Sequence, residues 1–418
     1  MSNNTVFISI GKRLKLNKIK YLIKFIKDVI HYRGLLYGKL ISIKEIIAGN
    51  FPDVEILNCE NVRLYYSCPV FNDGADRKME LLEGKDYTQY TVRIKNAIVY
   101  GDSNLITLSS GKVLFDMPAY DKLRRYEYTN YNSKIIKVKG NHVYYWKGIT
   151  HPLEKAVWMG GNFSWNYYHL LYEFVIKFLY LNKSDIPLNV PVLVDQRCLE
   201  VPQYKELLDI ANYKDYKLIG VDRSWRFSVG EIIYINCPNF IPLNNVDDKD
   251  SRVDDIQFNI SALCDLRNYF LPYSSNREFH KRIYISRKNA SRRRRFNEDA
   301  VMQLLSEFGF ETVCPEKLSI PDQISLFNQA DWIIGGSGAA FTNLLFCNSG
   351  TKVILLTKGR GVNSIFSTIA CAINVDLVYI TEEDTNKDIF FNGIHDVFEL
   401  DISYLREFLI NNISLNNN

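Results

Sequence analysis

The chain has 418 residues, of which 47% are hydrophobic, 13% aromatic and 23% charged. At roughly 100 to 200 residues per domain, two domains with sizeable cores are expected, and the composition excludes disordered, collagen-like and disulfide-scaffold proteins. The formal net charge is +4, yet residues 1–40 hold nine Lys or Arg against the single acid Asp28, so the basicity is local and the remainder is slightly acidic.

No apolar run approaches the roughly 18 residues of a membrane span, because the richest stretch, Phe174 to Leu181, contains Lys177. The N-terminus shows no charged, apolar and small-residue succession of a secretory signal, so a cytoplasmic protein is expected. Leu14, Leu16, Ile19, Leu22, Ile23, Ile26, Val29 and Ile30 recur mostly at helical spacing with lysines between them, which predicts a basic amphipathic helix. Such a helix either adsorbs peripherally to an anionic membrane face or packs on its own domain or on a second subunit.

Residues 51–150 carry short alternating runs at 90–101, 104–115 and 141–148 that predict hairpins and a β-rich region. From residue 156 the pattern becomes βαβ: AVWMGG is a strand ending in glycines, WNYYHLLYEFVIKFLYLN an apolar helix and VPVLVD a buried strand. A helix at 202–213 and strands at 216–220 and 231–237 follow, and the polar, turn-rich stretch 239–257 predicts an interdomain connection. Strands at 282–288, 310–315, 331–336 and 351–357 then alternate with helices at 297–309 and 319–330, the second opened by Ser319 as N-cap with Pro321 in its first turn. Alternation of this kind implies an α/β fold with a parallel, doubly wound sheet. The eight cysteines include no C-x-x-C pair, which argues against a zinc cluster, a redox motif or a disulfide framework.

Three segments carry chemistry. In NFSWNYYHLLYEF, His169 and Glu173 lie four apart and share a helix face, with Asn166 one turn earlier. A carboxylate can orient an imidazole and favour it as the base for an attacking hydroxyl; the plain alternative is a satisfied core histidine. In YISRKNASRRRRFNE, Arg287 stands just beyond a strand and the cluster Arg292 to Arg295 precedes a helix. Guanidinium forks bind phosphate oxygens bidentately, and without interleaved aromatics a small-molecule phosphate fits better than nucleic acid; a solvated charge run is the alternative for part of the cluster. GGSGAAFTN, Gly335 to Asn343, closes a strand and opens a helix, where small residues and a helix N-terminus suit a diphosphate, although a tight turn needs no ligand.

Taken together, N-Y-Y-H-L-L-Y-E (166–173), Y-I-S-R with the Arg cluster and N-E (284–298), and G-G-S-G-A-A-F-T-N-L-L-F (335–346) resemble the bacterial members of glycosyltransferase family 61, the capsular polysaccharide biosynthesis proteins. The resemblance covers roughly residues 155–380. It implies a GT-B-like arrangement of two Rossmann-like domains facing a cleft, and an inverting transfer of sugar from a nucleotide-sugar donor. The organisation expected is a basic helical segment 1–50, a β-rich plus Rossmann-like acceptor domain 51–250, a C-terminal nucleotide-sugar-binding domain 251–385 and a helical tail 386–418. The carry-over gives Arg287, Arg293, Arg294, Gly336, Ser337, Gly338, Ala339 and Asn343 to the donor, and His169, Glu173 and Asn166 to the acceptor hydroxyl. Two departures stand out: Ser337 where many relatives carry His, and Leu355 where many carry an acid. No cofactor is obligatory in this picture, and a divalent metal is not required, since cationic side chains and a helix terminus can stabilise a departing diphosphate. The D-x-D at Asp248 and Asp250 reads as a solvated loop rather than a Mn²⁺ site.

The expected partners are a nucleotide-sugar and a glycan on a lipid-linked acceptor of capsule or O-antigen type. Another polysaccharide-modifying transferase, pyruvyl or phosphosugar, and a non-catalytic scaffold in a glycan-assembly complex remain as alternatives. The sequence leaves the oligomeric state open.

Overall fold

The computed structural model describes residues 23, 26–49, 51–72, 78–114, 134–241, 253–288, 296–360, 364–382 and 397–413. Most of the N-terminal amphipathic segment, the Arg292 to Arg295 cluster with Arg293 and Arg294, and Asp248 and Asp250 lie outside these residues.

Two sheets organise the chain. The first is mixed and eleven-stranded, built from β1 (Leu35–Ile41), β2 (Val54–Tyr66), β3 (Leu82–Tyr100), β4 (Ile106–Thr107), β5 (Val113–Leu114), β6 (Ile135–Lys139), β7 (His142–Trp146), β8 (Ile149–Trp158), β9 (Val192–Asp195), β10 (Leu218–Val221) and β11 (Trp225–Ile235). Its strands run in the order β10-β9-β8-β11-β3-β4-β5-β1-β7-β6, with β2 paired to the long β3. The runs read as hairpins and the first βαβ unit therefore belong to one sheet, since β11 pairs parallel with β8 on one side and antiparallel with β3 on the other.

This unit departs from a doubly wound plan. The strands β8, β9 and β10 are parallel and joined by helices, as the alternation predicts. From β10, however, only residues 222–224 lead to β11, far short of the dozen residues that a parallel crossover needs. The sheet curls instead: Gly101 N, just past β3, donates to Trp225 O, while Asp102 N donates to the Asp195 carboxylate at the end of β9.

The second sheet is wholly parallel, with β12 (Arg282–Ile285), β13 (Glu311–Val313), β14 (Trp332–Gly336), β15 (Lys352–Thr357) and β16 (Asp376–Thr381) in the order β13-β12-β14-β15-β16. Short, almost fully apolar strands are what burial under helices on both faces requires. The helix Glu298–Glu307 opens with two acids and ends before Gly309 at φ +74°. The helix Ile320–Gln329 is capped by Ser319, whose hydroxyl accepts from Asp322 N. Because β13 and β14 lie on opposite sides of β12, the direction in which successive strands are added reverses there, and ligands of such sheets bind beyond the carboxyl ends of the strands flanking the reversal.

One apolar core joins the sheets. Val157, Val192 and Ile233 from the first and Ile283, Ile333 and Val353 from the second enclose Leu171, Val175, Phe341 and Phe346. Among the described residues no helix is long and apolar enough to cross a membrane.

Candidate active site

After β8 the chain makes a tight approach at Gly160 and Gly161, where a Cβ on Gly161 would collide with Asn104 Oδ1 and the Phe174 ring. The following turn holds Phe163 at φ +66°, a left-handed conformation that a bulky side chain adopts only under constraint. Asn166 caps the next helix, its Oδ1 accepting from Tyr168 N at 3.0 Å. The apolar helix expected over this stretch is divided: Tyr167–His169 is α-helical, Leu170–Val175 is wound as a π-helix, and Lys177–Lys183 returns to α. Such π segments concentrate at functional sites.

The winding brings His169 and Glu173 into direct contact, Nδ1 to Oε1. Glu173 is buried, whereas His169 keeps a partly exposed edge and stacks on Phe163 at 5.2 Å between ring centroids. Beside the pair lies a small cavity lined by Glu173, Lys177, Asn104, Tyr87, Tyr234 and Cys237.

The turn that aims His169 is held by residues that pattern reading passes over. Asp195, at the carboxyl end of β9, accepts from Gly161 N (2.8 Å) and from Asp102 N (2.7 Å), and Asn104 Oδ1 accepts from Asn162 N (3.0 Å). Burial, and then the charge of Asp195, push the Asp102 carboxyl up to about 7, against the pull of Arg223 and Arg197. Burial likewise raises Asp195. The available signal was an acid closing the apolar run VPVLVD, the strand end where α/β proteins place polar function.

Across the shared core, Arg287 emerges just past β12 at the sheet's reversal point. Glu298 fixes its backbone: one carboxylate oxygen accepts from Arg287 N (2.8 Å), Ser286 Oγ (2.9 Å) and Tyr284 OH (3.1 Å). Arg287 Nη1 donates to Ser337 O at 3.2 Å, directly beyond β14. Burial lowers the pKa of the guanidinium from its ordinary value, though an Arg keeps its charge.

Gly336 and Gly338 make room for this arginine. A Cβ on Gly338 would collide with the guanidinium, and one on Gly336 would stand 3.1 Å from Arg287 Cδ and the Phe296 ring. From Ala339 the chain winds as a 3₁₀ segment to Phe346, not as the α-helix expected.

Asn343, in that segment, is fully buried. Its Oδ1 accepts from Tyr167 OH (2.7 Å) and its Nδ2 donates to Gln323 Oε1 (2.8 Å), so both ends of the amide are engaged inside the protein. With Tyr172 OH donating to Thr342 O at 2.8 Å, these bonds dock the His169 helix onto the segment whose first residues surround Arg287. Asn166 and Asn343 thus act from within secondary structure, while His169 and Glu173 form one candidate group and Arg287 with Gly336 to Ala339 the other. No cluster of three or more His, Cys, Asp or Glu able to hold a metal occurs among the described residues.

A family model described as Glycosyltransferase 61 matches residues 167–354, the stretch that begins one residue after the Asn166 cap and contains both groups. No curated protein matches the chain significantly.

Proposed function

We propose that the protein, whose residues 167–354 match the Glycosyltransferase 61 family model, is an inverting glycosyltransferase that moves a sugar from a nucleotide-sugar donor to a growing surface glycan, of capsule or O-antigen type, on a lipid-linked acceptor. The observation that carries this reading is the docking of the helix that holds the His169–Glu173 pair onto the segment that cradles the half-buried Arg287. The parallel sheet would be the donor half of a GT-B-like arrangement spanning 251–385, and the mixed sheet within 51–250 the acceptor half.

In this reaction Glu173 holds the Nδ1 side of the imidazole, which leaves Nε2 to take the proton from the acceptor hydroxyl. The hydroxyl oxygen bonds to the anomeric carbon as the bond to the leaving nucleotide breaks, inverting that carbon. Negative charge develops on the phosphate oxygens, where the Arg287 fork and the amide dipoles at the start of the 3₁₀ segment favour it. The guanidinium supplies this stabilisation without a divalent ion.

Incubating the protein with UDP-, GDP-, CMP- and TDP-sugars and a lipid-linked glycan extract tests the proposal. Stoichiometric release of free nucleotide and extension of the glycan are expected from one donor. Unchanged donor in every reaction, with the protein folded, would overturn it.

A further inference from the structure

At the β1–β7–β6 end of the mixed sheet, one face packs inward and the other meets solvent. Leu40, Val143 and Tyr145 point into a buried cluster. On the outer face the register sets Tyr37 opposite Tyr144 and Lys39 opposite His142, and β6 adds Lys137 beside Tyr144 and Lys139 beside His142. Residues directly opposite each other share a face, so these side chains form one continuous patch. The Tyr37 ring stacks on His142 at 5.1 Å and lies 5.1 Å from Tyr144. No Asp or Glu occurs in any of the three strands.

The helix leading into β1 carries further exposed apolar side chains. It ends in a Schellman turn, with Gly34 N donating to Val29 O and Arg33 N to Ile30 O, and delivers the chain at Leu35. Ile26, Ile30, Leu35 and Tyr37 are 48%, 72%, 43% and 57% exposed. Exposed aliphatic and aromatic side chains in this number, on a helix with its closing turn and three strands that also carry Lys27, Arg33, Lys39, Lys137 and Lys139 against the single acid Asp28, are not what a solvated face requires.

We infer that this face is a docking surface for an anionic lipid bilayer. The clustered cations fit the negative leaflet, tyrosines suit the headgroup level, and the aliphatic row needs an apolar phase that an acidic glycan would not offer. The strong positive charge of residues 1–40 adds to the same attraction.

Co-sedimentation of the full chain with vesicles of phosphatidylglycerol and phosphatidylcholine, and with phosphatidylcholine alone, tests this at low and high salt. Binding only to the anionic vesicles, weakened by salt, is expected, with a loss of about a hundredfold for Lys39→Glu/Lys137→Glu/Lys139→Glu. Tyr37→Ser/Tyr144→Ser should also weaken binding, with the melting temperature of both variants unchanged. Three results would overturn the inference: no vesicle binding, equal binding by wild type and variants, or a concentration-dependent dimer that the same substitutions dissolve.

Discussion

Removing the His169 imidazole tests the base directly. A positioned general base contributes about 10²- to 10⁴-fold, so His169→Ala should lower kcat by that range in a transfer assay, while donor KM and melting temperature stay close to wild type. A small change in kcat would return His169 to the role of a packed histidine stacked on Phe163. Gly338→Ala addresses the other group without touching its charge. The added methyl occupies the guanidinium's position, so Arg287 must swing away. About a tenfold or larger rise in donor KM is expected, matching Arg287→Ala, with the fold retained; an unaltered KM would show that the donor does not use this arginine. The glycines were legible as small residues at a strand end, but not as room for a side chain 51 residues earlier in the chain, because that neighbour is set by sheet order.

The elements that carry these residues depend on hydrogen bonds across the core. Tyr167→Phe deletes the donor to a buried Asn343 oxygen, a loss that costs about 1–3 kcal/mol and should appear as a lower melting temperature and a reduced kcat. Full activity and stability would show that the Tyr167 bond does not set how the His169 helix docks. The turn before that helix carries a pH signature. Asp102 is raised to about 7 in the folded protein, from an ordinary value near 3.8. Between those values the folded state keeps a proton that the unfolded chain has released, so this group makes stability fall as pH rises through the window. Asp102→Asn should flatten that fall in melting temperature between about pH 4 and 7; an unchanged profile would remove Asp102 as its source. Apolar periodicity suffices to read the strands and helices between 282 and 357. It does not show the π winding at Leu170–Val175 or the 3₁₀ segment at Ala339–Phe346, because these differ from an α-helix by one residue in hydrogen-bond partner and packing chooses among them.

Over the whole molecule, the order β13-β12-β14 places Arg287 and Ser337 at one reversal point, and two tyrosines tie the His169 helix to the same segment. Alternating strands and helices made the parallel sheet readable. The curled mixed sheet was not, since the pairing of β3 with β11 joins segments more than a hundred residues apart and leaves no local mark. For the same reason the contact between Asp195 and Asp102, which braces the turn before His169, emerges only from the fold, although Asp195 itself stands out as the acid closing VPVLVD. Both halves of the proposed reaction converge on one binding event, so calorimetric titration of nucleotide-sugars into wild type, Arg287→Ala and His169→Ala, with a chelator present, is the most direct test. One nucleotide-sugar should bind wild type and His169→Ala alike and Arg287→Ala at least about tenfold more weakly. Equal affinity for all three proteins, or no heat from any nucleotide-sugar, would contradict a donor site at Arg287.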